Sequence, residues 1–266
     1  MTSTRPLALV TGASAGIGAA FARRLAAQNH DLLLVARRVD RLQALAGELA
    51  SRYGVHAEPL PADLTKDADL KAVEDRIARE EHLEFLLNNA GFGASGRFYE
   101  SQVEVQDAMH RLHVIATLRL AHAALRVMTA RGRGAVVNVS SVAAFVCRPG
   151  STSYYATKAW INCFTEGLYL ELKQARSPVR VQALCPGYTV TEFHDVMGFD
   201  RRHVPASWWT AVEQVVDASL QGLQHGKLFV VPGWRYKFIV ALLRLIPRPL
   251  LHATSSWGDR WDGKQE

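Results

Sequence analysis

Hydrophobic and polar positions fall into alternating blocks along this chain. Short apolar runs of strand length recur at 7–11 (LALVT), 31–36 (DLLLVA), 83–91 (LEFLLNNAG), 134–141 (GAVVNVSS), 179–187 (VRVQALCPG) and 227–233 (KLFVVPG). A further run, 56–64 (HAEPLPADL), carries Pro59 and Pro61, which predict an edge strand or an early end. Between the runs the apolar residues take helical spacing, as with Phe21 and Leu25, or with Val39, Leu42, Leu45 and Leu49 on one stripe. Buried strands alternating with helices predict parallel β-α-β units whose sheet is covered on both faces. The expected fold is α/β: a doubly wound parallel sheet of about seven strands with helices on both faces. No linker, repeat or low-complexity tract divides it. One domain is expected over residues 1–233, with 234–266 as a C-terminal helical extension of that domain.

Composition narrows the class. At 266 residues, 48% apolar and 21% charged, the chain can bury a sizeable core without disulfides. Cys147, Cys163 and Cys185 form no Cys-x-x-Cys pair, which argues against a metal site and favours free thiols in a reducing compartment. The net charge of +6 fits a site for an anionic cofactor plus scattered surface arginine. No basic run alternates with aromatics, so a nucleic-acid partner is not expected. The first residues hold no long apolar segment ahead of the glycine-rich turn, which predicts no signal peptide and a cytoplasmic protein.

The candidate chemistry begins at GASAGIG, residues 12–18, between the first strand and the first helix. Gly12, Gly16 and Gly18 allow a tight turn and close backbone approach, and the helix start beyond them offers N–H groups to a pyrophosphate. Ser14 adds a hydroxyl, and Ile17 completes the loop. The second strand ends in Ala36 followed by Arg37 and Arg38, with no acid to bond ribose hydroxyls. Guanidinium forks suit a 2′-phosphate, so NADP(H) is expected over NAD(H). Within SYYATKAW, residues 153–160, Tyr154 lies four before Lys158 and so shares its helix face, while Tyr155 is displaced round the cylinder.

Together TGASAGIG (11–18), NNAG (88–91), VNVSS (137–141), YYATK (154–158) and PGYTVT (186–191) resemble the short-chain dehydrogenase/reductase family, over about residues 6–233. The resemblance implies a serine thirteen residues before the tyrosine; counting back from Tyr154 reaches Ser141. In that arrangement Tyr154 exchanges a proton with a carbonyl or alcohol, Ser141 bonds its oxygen, and Lys158 lowers the tyrosine pKa and binds the nicotinamide ribose. The family's relay asparagine, twenty-eight residues before the serine, is here His113, which either keeps a water in an altered relay or leaves the relay lost. The resemblance further implies Asp63 at the adenine edge and Asn89 and Gly91 near the adenosine ribose. It also implies Pro186, Gly187, Thr189 and Thr191 round the nicotinamide, and a homodimer or homotetramer.

The segment 192–210 carries Phe193, Met197, Phe199, Trp208 and Trp209, either as an apolar lid over a lipophilic substrate or as packing for the next helix. Arg201 and Arg202 there meet an acidic substrate group or face water. The stretch 234–251 mixes aromatic, aliphatic and basic residues and is broken by Pro247 and Pro249. It is too short to cross a bilayer and is expected to cover the cleft, to pack on a partner subunit or to make peripheral membrane contact. Two functions follow. One is an NADPH-dependent oxidoreductase acting on a lipophilic ketone or its alcohol. The other is a non-catalytic NADP(H)-binding sensor or scaffold on the same fold.

Overall fold

In the computed structural model, residues 5–193, 202, 204–247 and 249–251 are described. Met197, Phe199 and Arg201, expected in a substrate lid, lie outside them. The elements run β1 (Leu7–Thr11), α1 (Gly16–Ala27), β2 (Asp31–Ala36), α2 (Val39–Tyr53), β3 (Ala57–Pro61), α3 (Asp67–Ala78) and β4 (Leu83–Asn88). They continue with α4 (Val103–His110), a π-helical turn (Arg111–Ala116), α5 (Thr117–Arg131), β5 (Ala135–Val139), α6 (Thr152–Gln174) and β6 (Arg180–Leu184). Last come α7 (Val212–Gln224), β7 (Phe229–Val230) and α8 (Trp234–Leu245).

The seven strands form one parallel sheet in the order β3-β2-β1-β4-β5-β6-β7. Side chains alternate between its faces because the strand period is two. Ala8, Val10, Leu32 and Leu34 face one core with Phe21 and Leu25 of α1, Leu42 and Leu49 of α2, and Val215 and Val216 of α7. Leu7, Leu9, Leu33 and Val35 face the other, with Val73 and Ile77 of α3 and Leu120, Ala124 and Met128 of α5. In the central strands β1 and β2 neither face meets water, so they read as nearly unbroken apolar runs.

β3 lies at the sheet edge, as its prolines require, pairing with β2 alone. Two expectations change. The α2 stripe is buried at Leu42, Leu45 and Leu49, but Val39 is exposed because it starts the helix beyond the sheet. The last strand shrinks to two residues, since Val231 leaves the sheet to join α8 in a third cluster. That cluster seats Tyr236 and Val240 of α8 against Ala183 and Cys185, so the C-terminal helix is docked on the fold. No described helix is long and apolar enough to cross a membrane.

Candidate active site

Strand order reverses between β1 and β4, and the loops leaving the carboxyl ends of the strands converge on that switch point. The predicted residues fall on these loops or on the helices they lead into: Gly12, Ser14, Gly16, Ile17 and Gly18 after β1, Arg37 and Arg38 after β2, and Asp63 after β3. Asn89 and Gly91 follow β4, Ser141 follows β5, and Pro186 to Thr191 follow β6.

Gly12 and Gly16 have φ of 65° and 53°, in the region that favours glycine. A Cβ on Gly18 would stand 2.3 Å from the Gly12 carbonyl oxygen, so the loop folds on itself only without that side chain. Asn89 fixes this loop: its Nδ2 donates to the carbonyls of Thr11 (3.0 Å) and Gly12 (3.3 Å). Its side chain thus serves the loop that would cradle a cofactor. Ile17 packs on the core below.

The arginines divide. Arg37 is exposed, and its charge acts on Asp63. Arg38 points across the loop, donating from Nε and Nη2 to Ser14 Oγ at 3.1 and 3.0 Å. Arg41, which the sequence reading missed, stands three residues on along the same helix face. Asp63 accepts from the backbone N–H (3.2 Å) and hydroxyl (2.8 Å) of Thr65, capping its own loop. Burial raises its pKa, but the Thr65 bonds and Arg37 outweigh this and leave it below the usual carboxylate range.

Tyr154 and Lys158 share a face of α6 one turn apart, as their spacing predicts. The Lys158 ammonium is 5.6 Å from the centre of the Tyr154 ring and donates to the Val139 carbonyl (2.9 Å) at the end of β5. Ser140 Oγ donates to the Lys158 carbonyl (2.9 Å), tying α6 to the same strand end. Ser141 Oγ accepts from the Ala143 N–H (3.1 Å), donates to the Pro186 carbonyl (3.4 Å) and acts on the Tyr154 hydroxyl to lower its pKa. Burial pushes Tyr154 up to about 12, against the Ser141 bond, and pushes Lys158 down to about 8. The expected lowering of Tyr154 by Lys158 is not seen: desolvation sets the shift, and only Ser141 opposes it. Tyr154 is held protonated at neutral pH, as a proton donor needs.

His113 lies in the π-helical turn and is 1% exposed. Nε2 accepts from the Phe92 N–H (3.2 Å), and Nδ1 stands 2.9 Å from Thr157 Oγ1. The Thr157 hydroxyl donates to the Tyr154 carbonyl (3.1 Å), so the ring must donate from Nδ1. His113 is a neutral Nδ1–H tautomer with both nitrogens engaged. Burial, and then the Lys158 charge, hold its pKa well below the usual histidine value. A Cβ on Gly91 would come within 2.7 Å of its Nε2, so glycine there makes room for the ring.

At the other wall, Pro186 accepts from the Val142 N–H (3.0 Å), and Gly187 packs so closely on Tyr236 that a Cβ would lie 2.2 Å from the ring. The Tyr236 hydroxyl accepts from the Tyr188 N–H (3.1 Å) and donates to the Trp208 carbonyl (2.7 Å). Thr189 bridges to Thr210. Trp208 stacks edge-on to Tyr236 and Trp209 tilts against Tyr188 (5.8 and 5.4 Å), which is the packing role left open for them. Phe193 stands 5.9 Å from Tyr154, ring centre to ring centre.

The family model described as short chain dehydrogenase matches residues 6–200. The chain belongs to the short-chain dehydrogenase family. A short-chain dehydrogenase from Sphingobium yanoikuyae in complex with NADPH is 39% identical, with a TM-score of 0.83 over 90% of this chain and 93% of that one. A bulky-bulky ketone specific alcohol dehydrogenase from Comamonas testosteroni is 32% identical, with a TM-score of 0.78 over 99% and 96%. A 7beta-hydroxysteroid dehydrogenase of Collinsella aerofaciens is 31% identical over 86% of each chain. This short-chain dehydrogenase is an NAD(P)-dependent oxidoreductase, and its glycine loop fits a nicotinamide dinucleotide: no side chain caps the start of α1 at Ala15, which leaves its first N–H groups to a pyrophosphate.

Proposed function

We propose that this protein reduces a bulky, apolar ketone with NADPH, or oxidises the corresponding secondary alcohol. The observation that carries the chemistry is the convergence of Ser141, Tyr154 and Lys158 at the end of β5. When bound, the cofactor supplies or accepts the hydride. Tyr154 then gives its proton to the carbonyl oxygen, Ser141 donates a hydrogen bond to that oxygen, and Lys158 presents its ammonium to the nicotinamide ribose and beneath the Tyr154 ring. Pro186, Gly187, Thr189 and Thr191 shape the nicotinamide end, while Asp63 and Gly91 stand toward the adenosine end.

The preference for NADPH is supported by Ser14, Arg38 and Arg41, which form an anion seat at the start of α2. The NADPH-bound Sphingobium relative points the same way. Arg37 is a secondary charge in this reading, because it is exposed and its charge acts on Asp63. The aromatic wall of Phe193, Tyr188 and Trp209 supports an apolar substrate, as do the bulky-ketone and hydroxysteroid relatives. His113 is a positioning residue that ties the loop after β4 to α6 behind Tyr154, because both its nitrogens are already bonded. A panel of bulky and small ketones, each with NADPH and NADH, tests the assignment. Faster consumption of NADPH with bulky ketones is expected; no consumption with any ketone would favour the non-catalytic sensor.

A further inference from the structure

The anion seat already holds an anion. The Glu192 carboxylate accepts from Arg38 Nη1 at 2.9 Å and from Arg41 Nη1 at 2.5 Å, while Arg38 keeps its bonds to Ser14. Glu192 comes from the far side of the cleft, 154 residues along the chain from Arg38. Its neighbours lie across the groove. Thr191 Cγ2 is 3.0 Å from where a Gly16 Cβ would stand, and Phe193 lies against Tyr154. The short strap 191–193 therefore spans from the glycine loop to the proton donor, pinned at its middle by two guanidinium groups.

We propose that Glu192 is an internal stand-in for the 2′-phosphate of NADPH. The cofactor's phosphate replaces the carboxylate on Arg38 and Arg41, and the replacement unpins the strap that carries Phe193 beside Tyr154. A phosphate dianion offers more charge and more acceptor oxygens to the same two forks than a carboxylate does. A cofactor without the 2′-phosphate has nothing to exchange for Glu192 and leaves the strap pinned. Glu192 is thus a residue through which occupancy of the adenosine end is communicated to the reacting end, 191–193 being the physical link. The inference rests on the NADPH reading above.

The probe is adenosine 2′,5′-bisphosphate, with ADP as the ligand lacking the 2′-phosphate, titrated into the full-length protein and its Glu192→Gln and Glu192→Ala variants. All three partners are nearly half exposed, so the contest is screened by solvent. Each variant should bind the bisphosphate about three- to tenfold more tightly than the wild type, with ADP affinity unchanged. Hydrogen exchange at the amides of Glu192 and Phe193 should quicken when the bisphosphate, but not ADP, is added to the wild type. In the variants it should be fast without ligand.

Equal tightening for both ligands would mean that the strap merely obstructs the groove, and weaker bisphosphate binding would mean that Glu192 shapes the arginines for the ligand. Either overturns the proposal, as does no change. Failure of the NADPH reading looks different: the wild type itself would show no preference for the bisphosphate over ADP, and both would fall together.

Discussion

Tyr154 and Tyr155 are adjacent, yet only Tyr154 has Ser141 at its hydroxyl and the Lys158 ammonium over its ring. The electrostatic neighbours of Tyr155 are Arg148, Tyr188 and Cys147. Tyr154→Phe should lower kcat by about a hundred- to ten-thousandfold and leave NADPH affinity nearly intact, whereas Tyr155→Phe should stay near wild type. Steady-state kinetics paired with cofactor titration would reveal the reverse pattern if the register were wrong. Lys158 adds a pH signature. With its pKa down to about 8, its ammonium titrates away as pH rises through that value, so kcat/KM for reduction should fall on the alkaline side. A profile flat well above pH 8 would refute this placement. His113 predicts an effect on stability. Its folded pKa lies below the unfolded value of 6.5, so the unfolded chain takes up more protons as pH drops below 6.5, and stability is lost there. His113→Asn should flatten this acid loss in melting temperature. His113→Leu should cost about 1–3 kcal/mol, since the Phe92 N–H and Thr157 lose their partner. A Leu variant as stable as wild type would exclude the positioning role.

At the scale of elements, α8 and the loop after β6 form a unit. Tyr236 presses on Gly187 and holds the Tyr188 N–H and the Trp208 carbonyl. Gly187→Ala should destabilise by about 1–3 kcal/mol through overpacking. That cost should shrink in a Tyr236→Ala background, where the ring that the new methyl meets is gone. Additive melting shifts would show that the two residues act independently. Tyr236→Phe is milder: it should cost about 1 kcal/mol for the lost bonds and raise the KM of bulky ketones more than that of small ones, because the Tyr188 wall loosens. The anion seat is likewise a joint between elements, since Ser14 precedes α1 while Arg38 immediately precedes α2 and Arg41 lies in its first turn. Arg38→Ala should weaken NADPH about tenfold and NADH little, and Arg37→Ala should weaken NADPH less. Isothermal titration with both cofactors checks the ranking.

Across the whole molecule, a parallel sheet with helices on both faces makes a rigid floor, and the glycine loop, Ser141 and the 186–191 loop follow the carboxyl ends of its strands. Saturating NADPH at about a hundred times its Kd should add about 2.7 kcal/mol to stability, and an equal concentration of NADH should add less. Thermal melts with each cofactor measure the difference, and equal shifts would argue against the 2′-phosphate seat.

The sequence by itself determined the strand and helix blocks, the limits that Pro59 and Pro61 set on β3, the glycine loop and the Tyr154–Lys158 pair. These depend on local period, on prolines without an N–H and on residues a few positions apart, all of which a sequence displays. Ser141 was reached through family spacing. What tertiary structure alone decided are contacts between distant segments: Glu192 on Arg38 and Arg41, His113 between Phe92 and Thr157, and Tyr236 on Gly187. It also decided the sign of the Tyr154 shift, because desolvation depends on what the folded chain packs round a group, which residue spacing does not display.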